Sequence, residues 1–116
     1  MVNFNTLRSL ALSFPGTTEE PHFEKISFRV KGEIFATYDY MNQRACIKLS
    51  EVDQNVYSLA AEAVIYPVEN SWGKQGWTLI NMNQVDIRIF REALAAAYCE
   101  VAPGKLVDQF RSGTID

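Results

Sequence analysis

His22 is the only histidine in the chain. Nucleophilic hydrolysis needs an imidazole held beside a hydroxyl or thiol, and Ser27 and Cys46 are the partners such a mechanism would draw on. A lone histidine directly after a proline, here Pro21-His22, reads more simply as a turn residue that packs its ring or caps a backbone group. Cys46 and Cys99 lie far apart, and neither has a local motif that would lower a thiol pKa. Glu19, Glu20 and Asp39 show no metal-ligand spacing, and neither a GxGxxG turn nor a P-loop occurs. These residues assign no catalytic group, no metal site and no cofactor, so the chain is expected to be non-enzymatic.

Positive charge carries more information. Lys25, Arg29 and Lys31 alternate with Ile26, Phe28 and Val30, so in a strand the cations share one face and the apolar residues the other. Arg44 and Lys48 repeat the pattern against Ala45, Ile47 and Leu49, and Lys74 falls in a polar loop further on. If helices cover the apolar face, the open one gathers these six cations while Glu51, Asp53, Glu62, Glu92 and Glu100 fall on helices. Such a face would attract phosphates by counterion release. Lys and Arg also keep exposed strands soluble and block edge pairing, and Glu24, Glu33 and Asp39 dilute the patch. Phe23, Tyr38, Tyr40, Tyr66, Trp72 and Trp77 are interleaved with the charges. An exposed ring stacking on a base is worth about 1–3 kcal/mol. Trp77 reads as a packing residue between sheet and helices, whereas Trp72, in a glycine-flanked loop, is placed to lid a groove or anchor a partner.

The elements that must position these groups follow from composition and period. With 116 residues, 47% of them hydrophobic and a net charge of −3, the chain supports one core and one domain, 1–116. No apolar run reaches the roughly 20 residues of a membrane span, no secretory pattern opens the chain, and two scattered cysteines suit a reducing cytoplasm. Leu7, Leu10, Ala11 and Phe14 recur at helical spacing after Asn3 or Asn5, either of which can cap, and before Pro15-Gly16, which predicts a first helix over 3–14. Residues 17–21 read as an exposed linker. Strands are expected at 25–30, 34–40 and 44–49, joined at Lys31-Gly32 and Met41-Asn42-Gln43. Ser50 caps a second helix whose stripe is Val52, Val56, Leu59, Ala60 and Ala63. Short strands at 64–68 and 77–82 flank the loop 71–76. Asn83 opens a last long helix with Asp86 in its first turn and the stripe Ile87, Phe90, Leu94 and Tyr98, and 105–111 adds one or two final turns. Hairpin-linked strands with three amphipathic helices make a two-layer α+β sandwich that leaves one sheet face uncovered.

Several segments resemble the MmcQ/YjbR family: Phe14-Pro15-Gly16-Thr17-Thr18-Glu19-Glu20 followed by His22-Phe23, the hairpin from Ile26 through Gly32 to Ala36, and Lys74-Gln75-Gly76-Trp77-Thr78. The resemblance runs from about residue 3 to 111. It implies an α-β(3)-α-β(2)-α fold with a curved antiparallel sheet, similar to type III secretion chaperones and to the double wing of a phage transcription factor that binds DNA with its concave face. Lys31-Gly32-Glu33 stands where the family has Gly-Gly-Lys, which puts an acid at the wing tip. Two functions follow as expectations. One is DNA binding through the open face, with Lys25, Arg29, Lys31, Arg44, Lys48 and Lys74 on phosphates and Trp72 stacking. The other is a protein- or peptide-binding adaptor, or a homodimer, using the same face. No membrane role is expected.

Overall fold

The period-two alternation at Lys25–Val30 builds a strand that pairs on both sides, and the sheet grows from it. In the computed structural model, which describes residues 1–113, Thr17–His22 (β1), Lys25–Val30 (β2), Glu33–Asp39 (β3), Arg44–Lys48 (β4), Ile65–Pro67 (β5) and Trp77–Asn81 (β6) form one antiparallel sheet. Its spatial order is β1-β2-β3-β4-β6-β5. The helices are Phe4–Ser13 (α1), Glu51–Ala60 (α2), Ser71–Lys74 (α3), Ile87–Val101 (α4) and Gly104–Ser112 (α5).

The expected linker is the edge strand β1, paired with β2 from Thr17↔Val30 to His22↔Lys25. An edge position tolerates Pro21, whose missing N–H would break an interior ladder. Glu19 faces the helices and meets Arg8 of α1 at 2.7 Å, so no apolar alternation announced the strand. Between β2 and β3, Lys31 (φ 53°) and Gly32 (φ 80°) both take the left-handed conformation that a tight two-residue hairpin requires. The register then slips: Arg29 pairs with Ile34 but Phe28 with Ala36, which leaves Phe35 as an extra residue. That bulge sends Phe35 into the core, where its ring lies 6.1 Å from Phe14 and 5.6 Å from Tyr98.

Three caps place the larger helices. Asn3 Oδ1 accepts from Thr6 N at 2.9 Å, Ser50 Oγ from Asp53 N at 3.1 Å, and Asp86 Oδ1 from Arg88 N at 2.7 Å. Asp86, not Asn83, therefore opens α4; Asn83 belongs to the preceding turn and donates its N–H to Asn81. The stripes expected for α1 and α4 are buried as read, with Leu7, Ala11, Phe14, Phe90, Leu94 and Tyr98 in the core. Tyr98 ties the layers together. Its ring packs on Phe14, Phe35 and Phe110, and its hydroxyl donates to Pro15 O at 2.6 Å.

Helix α2 departs from expectation. Val52, Val56 and Leu59 face solvent, while Gln54 is buried and Tyr57 half-buried against the core. The physical reason is the loop after β5. Gln54 Nε2 donates to Gly73 O at 3.0 Å and Thr78 Oγ1 at 3.0 Å, with Trp77 O at 3.3 Å. A buried amide needs acceptors, and the loop supplies them to Gln54, while Asn55, the other amide of the helix, stays exposed.

The loop expected at 71–76 holds the single turn α3, and its glycines let two backbones touch. A Cβ on Gly73 would stand 1.9 Å from Val68 O, and one on Gly76 1.9 Å from Leu49 O. Gly76 also has a φ of +107°, which a side chain would strain. Gly76→Ala should destabilise the domain by about 3 kcal/mol or more, read as a lowered midpoint in urea unfolding, whereas Gly32→Ala, with open space around it, should lose much less.

Candidate nucleic-acid interface

Alternation along each strand decides which side chains reach the two faces. Ile26, Phe28, Val30, Ala36, Tyr38, Ala45, Ile47, Thr78 and Ile80 point to the helices and are buried or nearly so. The opposite face carries Lys25, Ser27 and Arg29 of β2, Ile34, Thr37 and Asp39 of β3, Arg44, Cys46 and Lys48 of β4, and Trp77 and Leu79 of β6, in register across Ser27↔Thr37, Thr37↔Cys46 and Cys46↔Leu79. Tyr66 of β5 extends it beside Leu79.

Four of the six expected cations, Lys25, Arg29, Arg44 and Lys48, thus share the open face. Lys31 stands at its end in the β2–β3 turn. Lys74 does not join them: on α3 it borders a groove of about 760 Å³ shared with Glu51 and Glu69. Trp72, on the same short helix, is 56% exposed. Trp77 is half-buried on the open face, paired across from Lys48, and does not lie between sheet and helices as expected. Residue parity explains the difference, because Thr78 and Ile80 take the inward positions of β6.

The cations are held differently. Arg29 lies along the sheet, with Nε donating to Ser27 Oγ at 2.9 Å and a guanidinium N–H reaching Pro21 O at 3.4 Å. Ser27 Oγ in turn donates to Glu20 O at 2.9 Å. The hydroxyl is thereby committed to the backbone of β1 and to Arg29, and the His22 ring packs edge-on to Phe23 at 4.9 Å instead. Arg44 Nε is shielded from solvent and has no hydrogen-bond partner among the described residues. A buried donor left without a partner costs free energy, which an acceptor able to reach it would recover. Lys48 Nζ lies 3.4 Å from where a Cβ on Gly76 would stand, at the end of β4 beside Trp77.

Acids interrupt the patch at two points. Glu20 lies on β1, and Asp39 sits between Lys25 and Arg44. The Asp39 carboxylate is spent on the β3–β4 turn, accepting from Asn42 Nδ2 at 2.8 Å, Met41 N at 2.9 Å and Asn42 N at 3.3 Å. These bonds, the Asn42 side chain first, hold its pKa below the ordinary carboxylate value, and Lys25 assists. Glu24 lies in the β1–β2 turn and Glu33 at the start of β3, off the centre of the face. No group of three or more His, Cys, Asp or Glu among the described residues could hold a metal ion, and no described helix is long and apolar enough to cross a membrane.

A model of the YjbR family matches residues 12–100. The chain belongs to the YjbR family. The match takes in the whole sheet, whereas α5, which sends Phe110 into the aromatic cluster, lies beyond it. Among solved structures, the YjbR chain is similar to Deinococcus radiodurans protein DR2400, described as a DUF419 family-model domain, with a TM-score of 0.72 and 23% identity over 84% of this chain and 77% of that one. At that identity the likeness shows the fold. No curated protein matches the chain. In this YjbR domain the open face also has apolar members that sequence reasoning missed, Ile34 and Leu79, beside the half-buried Tyr66. The alternation of Trp77 and Leu79 against Thr78 and Ile80 was the available signal, but nothing in it told which set faced the helices.

Cys46 lies on this face, yet burial pushes its thiol from 9.0 up to about 11 against the weaker opposing pull of Lys25 and Arg44. It is thus no ready nucleophile. Because the folded pKa is raised, its contribution to stability is full below about pH 9 and is lost as pH climbs to about 11. Two pKa units correspond to about 2–3 kcal/mol. Urea unfolding at pH 8 and pH 11 should show Cys46→Ala losing that much less than the wild type on going alkaline; equal losses would contradict the burial assigned to the thiol.

Proposed function

We propose that this YjbR domain is a non-enzymatic DNA-binding protein that holds the phosphate backbone on the open face of its sheet. One observation carries the proposal: every helix that buries apolar surface does so against the other face, and the face left free presents Lys25, Arg29, Arg44 and Lys48 on two strands flanking β3. The orphan Nε of Arg44 supports an anionic ligand, and Trp77 beside Lys48 supplies a ring against which a sugar or base can pack. Lys31 and Lys74 extend the positive field at the margin, with Trp72 as the outlying stacking residue. The net charge of −3 is compatible with this, since Glu51, Asp53, Glu92 and Glu100 lie on the helical side.

Two observations favour the second reading, an adaptor for an extended peptide or a second copy. Asp39 and Glu20 break the positive field, and Ile34, Leu79 and Tyr66 make part of the face apolar.

Salt titration of duplex binding separates the two. Four phosphate contacts predict that log K falls with log salt at a slope of about −3.6, and each cation removed should lower the slope by about one. Arg29→Glu with Lys48→Glu should abolish binding in a gel-shift series, while Lys74→Ala changes it little. Binding that is undetectable at low ionic strength, or insensitive to salt, overturns the DNA reading. A concentration-dependent dimer in sedimentation would then support the adaptor.

A further inference from the structure

Helix α2 is amphipathic the wrong way round. Val52, Val56 and Leu59 are 69%, 52% and 76% exposed, although they are the most apolar side chains of the helix, and the buried position belongs to Gln54. At about 100° per residue, Val52, Val56 and Leu59 fall within about 60° of one another and form one ridge two turns long. Ridges of this kind are what a second helix receives in its grooves.

The charge around the ridge decides what can cover it. No Lys, Arg or His occurs between Lys48 and Lys74, while Glu51, Asp53, Glu62 and Glu69 do. On one flank α2 faces α4 across a groove of about 380 Å³, where Asp53 and Glu100 stand over an apolar floor of Ala96 and Phe110. Arg111, the one cation of that groove, interacts with the Cys99 thiol. A second copy seated by two-fold symmetry would bring Glu51, Asp53 and Glu62 against the same three residues, with Arg111 beside Asp53 as the one cation of the flanking groove. An anionic lipid surface or a nucleic acid meets the same repulsion. A partner helix with an aliphatic seam and flanking Lys or Arg meets neither obstacle.

We infer that the outer face of α2 is a docking site for a cationic amphipathic helix of a protein partner. The site shares no residue with the open sheet face and does not rest on the nucleic-acid reading. Residues Val52, Val56 and Leu59 supply the apolar contact, and Glu51, Asp53 and Glu62 select the charge.

The probe is a labelled helical peptide of about four turns, leucine along one seam and lysine elsewhere, against a counterpart with glutamate in place of lysine. Anisotropy titrations should show the lysine peptide binding and the glutamate peptide failing to bind, and amide shifts should map to α2. The pair Val56→Gln and Leu59→Gln leaves the net charge unchanged and lies at exposed positions, so folding is kept. It should weaken the lysine peptide by at least about tenfold. Binding that survives in that variant would reduce the site to charge alone and overturn the inference. So would equal binding of both peptides, binding of neither, or a wild-type dimer in sedimentation that Leu59→Gln dissociates.

Discussion

The fold hangs on burial that is one-sided. Tyr98 shows how it is enforced: its ring fills the space between α4 and the sheet against Phe14, Phe35 and Phe110, and its hydroxyl closes on Pro15 O at 2.6 Å. That bond joins positions 83 residues apart and fixes the segment just after α1 to the last turn of α4. With the large rings drawn to one side, every strand must send its alternate side chains to the other, and those become the open face. Pairing of the strands in sequence then sets their neighbours, so that β2 and β4 bring their cations to either side of β3.

Polar groups on that face are disposed by local satisfaction as much as by charge. Asp39 sets a negative charge beside Lys25 and Arg44, and three donors of the β3–β4 turn hold its carboxylate in place. Arg29 is pinned along the strand by Ser27 Oγ and the backbone of β1, which orders a long side chain before any ligand meets it. Less entropy remains to be lost on binding than for a free lysine. Arg44, with an unpartnered Nε, is the opposite case.

On the helical side, the approach of the loop around α3 to α2 and β6 governs what the surface displays. Gly73 and Gly76 let backbone meet backbone, and the loop so placed offers Gly73 O, Trp77 O and Thr78 Oγ1 to the side chain of Gln54. Turning Gln54 inward rotates Val52, Val56 and Leu59 outward. The helix thus keeps a hydrogen-bonded amide inside and three aliphatic side chains outside, which gives an acidic, apolar-ridged surface.

Much of this was legible in the residues. The stripes of α1 and α4, the turns at Lys31-Gly32 and Met41-Asn42-Gln43, the caps at Asn3 and Ser50, and the shared face of Lys25, Arg29, Arg44 and Lys48 all follow from local period and turn chemistry, which a sequence carries in full. Three features did not. β1 has no apolar alternation because Glu19 is inward and paired to Arg8. The outward turn of α2 depends on carbonyls some 19 to 23 residues away from Gln54. The facing of Trp77 depends on which parity of β6 meets the helices. Period tells which side chains lie together on one element; only packing between elements tells which of those sides is buried.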